Sequence, residues 1–449
     1  MIKSTSETLF RLSNLDKEQQ RISYQLGGEI LQYGSDDANL YTRKIYLDDK
    51  MKVYEGIENQ IEKTTAQNLA SDSTMKEIKE LLEYVKQEVQ KGITATTDQD
   101  AREAIATNLK GVKENLYMLA NEQMEGEYLY AGSDSMKQPF VKDDSGKVTY
   151  QGDSFLRKVV VEDGSYRERG ITGFENFMYT VEAALKGETL EFSAEERILD
   201  ESSYEWKLEA STPVTTAPAT INFQANDVLI DENGTSWKVN DTIPSLENSN
   251  GDSIAITGTG PYSLDMSSIA ITPATATVPT ELSTAQLVKY DEEGLPTADT
   301  LSVKASSTLG KDYEVVLPNV DGTKFEAKGN TFDIMDKIIN ALEQKDADGN
   351  DIPNALATEE LTESLKLIQT ANDAANSGHA KLGGRNKVFE ISLERVSAKH
   401  TLFQKMNTEI NGADLTKLAV EAKALEITYT AMYATINKIH QLSLVNFVR

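Results

Sequence analysis

The sequence predicts an α+β protein, with long N- and C-terminal helices paired in coiled coils, a small β section, and a β-rich central insertion. Three observations carry this. From residue 361, apolar side chains recur every seven positions through Ile410, the 3–4 heptad pattern of a long packed helix. Eight of the ten prolines fall between 213 and 318, in a Thr/Ser-rich stretch with short alternating apolar runs, so the middle of the chain is β-rich. The flanks on either side are poor in proline and helical in period.

Taken in order, Ile57, Ile61, Met75, Ile78, Leu82, Val85 and Val89 predict one amphipathic helix from about 40 to 91. At 1.5 Å per residue, ~50 residues make a rod of about 75 Å, which suits a fibrous or filament-forming protein better than an enzyme core. Thr97-Asp98-Gln99-Asp100 reads as a capping box before a helix through Ile105, Leu109, Val112, Leu116 and Leu119. From 128 to 173, Tyr128-Leu129-Tyr130, Val148-Thr149-Tyr150 and Val159-Val160-Val161 read as short strands between Asp/Gly/Ser turns. Phe174–Leu185 and Phe332–Leu342 read as two versions of one short helix flanking the insertion. Within it, Val228-Leu229-Ile230 and Ile254-Ala255-Ile256 are strand runs, and Asp231-Glu232-Asn233-Gly234-Thr235 is a hairpin turn. No solenoid repeat is visible.

The returning helix carries Leu361, Ile368, Ala375, Leu382, Phe389, Val396, Phe403 and Ile410 in one row. Its second row is mostly polar: Leu365, Asn372, His379, Asn386, Leu393, His400 and Asn407. Such residues weaken a seam but can fix its register. Gly383-Gly384 opposes helix by about 1 kcal/mol per glycine, yet the repeat keeps phase across the pair, which predicts a continuous or slightly bent helix. The last stretch repeats the pattern with Leu418, Leu425, Met432 and Ile439 beside Ala422, Tyr429 and Ile436. The domains expected are 1–40 with 412–449, then 41–187 with 331–411, and 188–330 as the insertion.

Composition excludes much chemistry. The 449 residues hold 45 Lys plus Arg against 72 Asp plus Glu, a net charge of −27 that argues against nucleic acid or anionic membrane as partner. Without Cys there is no disulfide framework, zinc-thiolate site or Cys nucleophile. His379 and His400 lie about 32 Å apart on one straight helix and cannot share a metal. Asp346–Asp351 resembles a calcium loop, but neither register supplies the required glycine and twelfth-position glutamate. Ser73-Thr74-Met75-Lys76 matches S-x-x-K without its companion motifs. Catalytic residues, metal and cofactor are therefore expected to be none. No apolar run is long enough to span a bilayer, and the first residues lack the apolar core of a cleaved signal.

Particular motifs then resemble the flagellin superfamily of axial proteins, and within it the branch that joins hook to filament. They begin with Ile2 and Ser4-Thr5, a helix through Leu12, Leu15, Ile22 and Leu26, and Gly34-Ser35-Asp36-Asp37-Ala38. Tyr130-Ala131-Gly132-Ser133, Pro139-Phe140 and Val148-Thr149-Tyr150-Gln151-Gly152-Asp153 follow. His379-Ala380-Lys381-Leu382-Gly383-Gly384-Arg385-Asn386 and the tail Ser443-Leu444-Val445-Asn446-Phe447-Val448-Arg449 complete the set. The similarity covers roughly 1–187 and 330–449.

The resemblance implies a structural, secreted protein of the bacterial flagellum that leaves through type III export. Its terminal helices would assemble through Leu12, Leu15, Ile22, Leu26, Leu418, Leu425, Tyr429, Met432, Ile436, Ile439 and Leu444. Implied partners are copies of itself in a ring, the first hook-associated protein, flagellin, and an export chaperone on the C-terminal helix. Ser35, Asp36, Asp37, Gly383, Gly384, Arg385 and Asn386 are the motif residues. A flagellin-like filament subunit and an adhesive insertion are the alternative readings.

Overall fold

A computed structural model describes residues 2–26, 38–94, 98–211, 214–215, 219–240, 242, 244–256, 259–273, 278–308, 310–347, 349–411 and 415–447. The chain is α+β. Its helices are α1 (Ile2–Gln25), α2 (Ala38–Ile93), α3 (Gln99–Ala120), α4 (Gly173–Asn176), α5 (Thr331–Leu342), α6 (Asn354–Asn411) and α7 (Leu415–Phe447). It divides into two compact units, one of residues 1–63, 160–167 and 388–449, the other of 64–159 and 168–387.

In the first unit α1 runs with α7, and the early part of α2 with the end of α6. His400 Nδ1 lies 3.0 Å from Glu58, Asn407 donates to Asp48 at 2.9 Å, and the rings of Tyr54 and Phe403 are 5.4 Å apart. A hairpin tip at 160–167 belongs here through Lys50–Asp163 at 2.9 Å and the contact of Lys399 with Glu162.

In the second unit the rest of α2 packs with α3, α5 and α6. The heptad row of α6 is its buried face: Leu361, Ile368, Ala375 and Leu382 are all fully buried with Ile78, Leu82 and Val85 of α2. The helix passes unbroken through Gly383-Gly384. Asn372 donates to Glu83 at 3.2 Å, and His379 Nε2 lies 2.7 Å from Asp72. The polar second row is thus a set of specific cross-helix contacts, the kind that fixes register. The start of α3 differs from the capping-box expectation. Asp98 is the N-cap and accepts the Ala101 N–H at 2.9 Å, and Thr97 lies outside the described residues.

The insertion is built on a sheet of 14 strands among the described residues. Met178–Leu185, Lys324–Asn330, Arg197–Asp200, Glu205–Ala210, Glu281–Tyr290, Pro296–Ala305, Tyr313–Val316 and Thr189–Phe192 follow one another in it. The first and last of these are consecutive in the chain, so the sheet curls around a core of Phe192, Trp206, Leu287, Tyr313 and Phe325. Val228–Asp231 branches from Glu281–Tyr290 and leads into four further strands, around a second core of Phe223, Trp237, Leu246 and Tyr262. Val228 and Ile230 face the first core and Leu229 the second, which explains an uninterrupted apolar run in a strand buried on both faces.

One expected helix is a strand. After the single turn of α4, residues 178–185 pair antiparallel with 324–330. The alternation of Met178, Thr180, Glu182 and Ala184 with their neighbours suits a sheet, and ladder pairing there overrides helix propensity. Its counterpart, α5, is helical as expected, capped by Asn330.

Candidate functional site

Two features stand out. One is the surface of the terminal helices. The other is the joint where the β section, α4 and α6 meet.

Within the terminal pair, Ile22 is buried, and Leu12 and Leu15 are half-buried on α1. On α7, Leu418 is buried, and Leu425, Tyr429 and Met432 are half-buried. The Tyr429 hydroxyl donates to Asp16 at 2.5 Å, and partial burial together with that carboxylate pushes the phenol up to about 12. Leu26, just past α1, is exposed. Side chains off this seam are left in water: Phe10 is 68% exposed, Val420 67% and Ile427 62%. Ile436, Ile439 and Leu444 lie on helical backbone of α7, and nothing further is described at those positions. Ser35, Asp36 and Asp37 lie outside the described residues.

At the joint, Tyr150-Gln151-Gly152-Asp153 grips Tyr130-Ala131-Gly132-Ser133. Asp153 accepts the Ser133 N–H at 3.0 Å and its hydroxyl at 2.6 Å, and the Phe155 N–H at 2.8 Å. The Tyr150 hydroxyl sits 2.9 Å from the Tyr130 carbonyl and 3.0 Å from that of Asp153, and accepts the Gly173 N–H at 3.1 Å. Burial pushes its ionisation far up, so it stays a neutral donor. The glycines follow from this closeness. A Cβ on Gly132 would strike the Asp153 carboxylate, one on Gly152 the Ala131 carbonyl, and one on Gly173 the Tyr150 ring.

Arg385 reaches this joint from α6. Its guanidinium takes both oxygens of Glu175 at 2.8 and 3.0 Å, and donates to the Gly170 carbonyl at 3.1 Å. Burial opposes ionisation of Glu175, but Arg385 and Lys381 hold its carboxyl below the usual range. Gly378 lets α6 approach, since a Cβ there would meet the Glu175 carbonyl. Gly383 and Gly384 have nothing within 4 Å of a built Cβ. Asn386 keeps a buried Oδ1 without a partner.

The insertion is fastened to the same joint by Arg197, a residue that sequence reasoning did not single out. It pairs with Glu205 through Nη2 at 2.7 Å, donates to the Tyr150 carbonyl at 2.9 Å, and lies 4.5 Å from the centre of the Phe174 ring. No sequence signal marks Arg197, because its partners come from three separate segments. Tyr150, Gly152 and Asp153 were visible as a motif, and the structure supplies their task. Between α6, the 154–158 loop and the insertion lies a cleft of about 700 Å³. Its cations are taken by neighbouring carboxylates, as in Lys328–Glu326 and Lys381–Glu175.

No protein-family model and no curated protein matches the chain. Among solved structures it is similar to flagellar hook associated protein-3 from Legionella pneumophila, at 15% identity over 81% of this chain and 98% of that one, TM-score 0.44. It is similar to FlgL from Xanthomonas campestris, at 14% identity over 76% and 92%, TM-score 0.40. A putative flagellar hook-associated protein from Vibrio parahaemolyticus is similar at 12% identity over 84% and 100%, TM-score 0.44.

Proposed function

We propose that this chain is a structural, non-catalytic junction protein of the bacterial flagellum, hook-associated protein 3, joining the hook-associated ring to the flagellin filament. The observation that carries an assembly role is the pairing of the chain's two ends as helices with Phe10, Val420, Ile427 and Tyr433 left exposed. Several apolar side chains along one pair of helices are disfavoured in water unless another surface covers them. The motifs at Tyr130–Ser133, Tyr150–Asp153 and Gly383–Asn386 point the reading to the junction branch.

In this reading the terminal helices order fully on polymerisation, so that folding and binding are coupled. The first hook-associated protein lies on one side and flagellin on the other, with copies of this chain between. Before assembly the chain is secreted by type III export, and α7 from Leu418 onward holds the export chaperone. The insertion is a structural outer module.

The test is the double variant Val420→Asp with Ile427→Asp. Both sites are exposed in the monomer, so helix content by circular dichroism stays unchanged while incorporation at the hook end is lost. Normal incorporation of the doubly charged variant contradicts the assignment of these faces.

A further inference from the structure

We propose that α2 and α6 form a docking surface between copies of this chain, the exposed row of α6 on one copy receiving the exposed row of α2 on the next. The proposal rests on the reading that copies assemble side by side, and it names the faces that meet.

Within the first unit α2 and α6 run antiparallel, as the pairs Asp48–Asn407 and Glu58–His400 require. Their seam sets Tyr54 against Phe403, with Leu47 and Ile61 of α2 and Phe389 and Val396 of α6 buried in the same seven-residue rows. Each helix carries a second row, turned away from that seam. On α2 it is Thr42, Tyr46, Asp49, Val53 and Gly56, and on α6 it is Val388, Ile391, Arg395, Ala398 and Leu402. All of them are exposed, Tyr46 by 55%, Ile391 by 48% and Leu402 by 54%. A Cβ built on Gly56 meets nothing within 4 Å.

Both rows keep the alternating four-and-three spacing of a coiled-coil seam. Laid antiparallel, they coincide in one register. Asp49 then faces Arg395, Tyr46 faces Ala398, Gly56 faces Val388, Val53 faces Ile391 and Thr42 faces Leu402. Large meets small at Tyr46 and at Gly56, and opposite charges meet at Asp49. Beside the row, exposed Lys52 comes opposite exposed Glu394. A shift of one heptad sets Asp49 against Leu402 or Val388, which leaves its charge unpaired in the seam. The other layers supply the contact, and the polar layer fixes its register. Arg395 is available for this, since its contact with Glu162 is 3.4 Å long and it stays 60% exposed.

Because the rows lie on the outer sides of two helices, each copy uses α6 towards one neighbour and α2 towards the other. Such a heterologous contact repeats head to tail and closes a ring where the rotation allows. Five layers span only about 21 Å of helix, so one contact is weak and gains strength when many copies are joined.

The chain has no Cys, so engineered thiols report single contacts. Tyr46→Cys and Ala398→Cys are made as separate full-length variants, mixed and mildly oxidised. The expected result is a covalent dimer in the mixture. Roughly tenfold less is expected from either variant alone, or when Ile391→Cys, about 10 Å along α6, replaces Ala398→Cys. No dimer in the mixture, or equal yield from these controls, overturns the proposal, and the first outcome leaves the rows to a helix of another protein. A second arm scores incorporation at the hook end in cells. Asp49→Arg and Arg395→Asp should each lower it about tenfold, and the two together should restore it. Normal incorporation of both single variants, or loss without restoration in the pair, also overturns the proposal. Failure of the unaltered chain to incorporate contradicts the junction reading instead, while the covalent dimer still decides the contact.

Discussion

Arg385 is the residue on which the glycine-arginine stretch depends. Glu175 is 17% exposed at the side chain and takes both arms of the guanidinium. Arg385→Met strands that carboxylate with only Lys381 nearby, and breaking a buried pair in this way costs on the order of 2–4 kcal/mol. Urea unfolding at pH 7 checks this. The folded pKa of Glu175 is depressed, so its contribution is present above the ordinary carboxylate range and is lost as pH falls through the lower folded value. The variant therefore approaches the native protein in stability as pH falls below the ordinary carboxylate range.

Asp333 titrates with the opposite sign. Burial, with Glu195 nearby, raises its carboxyl to about 6. A raised carboxyl is a cost that builds as pH rises from the ordinary carboxylate range and is complete once pH passes that value. Asp333→Asn should stabilise by roughly 1–2 kcal/mol at pH 7.5, less than the full conversion because the side chain is half-buried, and bring no gain below about pH 4. Thermal unfolding across that range shows it. An equal gain at both ends of the range contradicts the assignment.

At the scale of elements, α6 was the most legible part of the chain. Its seven-residue row needed only a count, and Leu361, Ile368, Ala375 and Leu382 line the core as that count requires. Leu382→Ala should cost about 2–5 kcal/mol in denaturant unfolding. Gly383 and Gly384 are exposed, in open space, inside a helix. Alanine at either should therefore stabilise the isolated chain by up to ~1 kcal/mol. If the pair instead serves contact between assembled copies, the same substitutions impair incorporation while raising Tm, and the two readouts separate.

The strand at Met178–Leu185 was misread because Val181–Leu185 has no local bar to helix. Only its ladder to 324–330, about 140 residues away, decides the matter. Short turns were partly legible. In the hairpins at Asp200 and Asp231, the carboxylate accepts two backbone N–H groups, and its second oxygen takes the indole N–H six residues on, from Trp206 at 3.2 Å and Trp237 at 3.0 Å. The strings Ile198–Trp206 and Leu229–Trp237 align residue for residue in this pattern, a repetition overlooked because Ser203 stands where Gly234 does. Both adopt positive φ.

For the whole molecule, charge is the quantity with consequences. Residues 188–330 hold 8 Lys plus Arg against 24 Asp plus Glu, −16 of the total −27. In the proposed assembly, copies set side by side would repel through these insertions, and salt screens charges beyond about 10 Å at 0.1 M. Incorporation should therefore quicken several-fold between 20 and about 150 mM salt. A decrease would point instead to attraction between opposite charges as the driving contact. The two cores of the insertion could not be read from the sequence, because alternating Thr, Ser and short apolar runs do not say which face meets which core. The joint at Tyr150 and Asp153 was legible as a motif but not as a mechanism, since its partners are backbone groups brought together by the fold.

The most direct test is deletion of the gene with electron microscopy of the cells and assay of the medium. A junction protein predicts intact hooks, no filaments, and flagellin shed into the medium. Filaments of normal length, or filament loss with no secreted flagellin, would contradict the account.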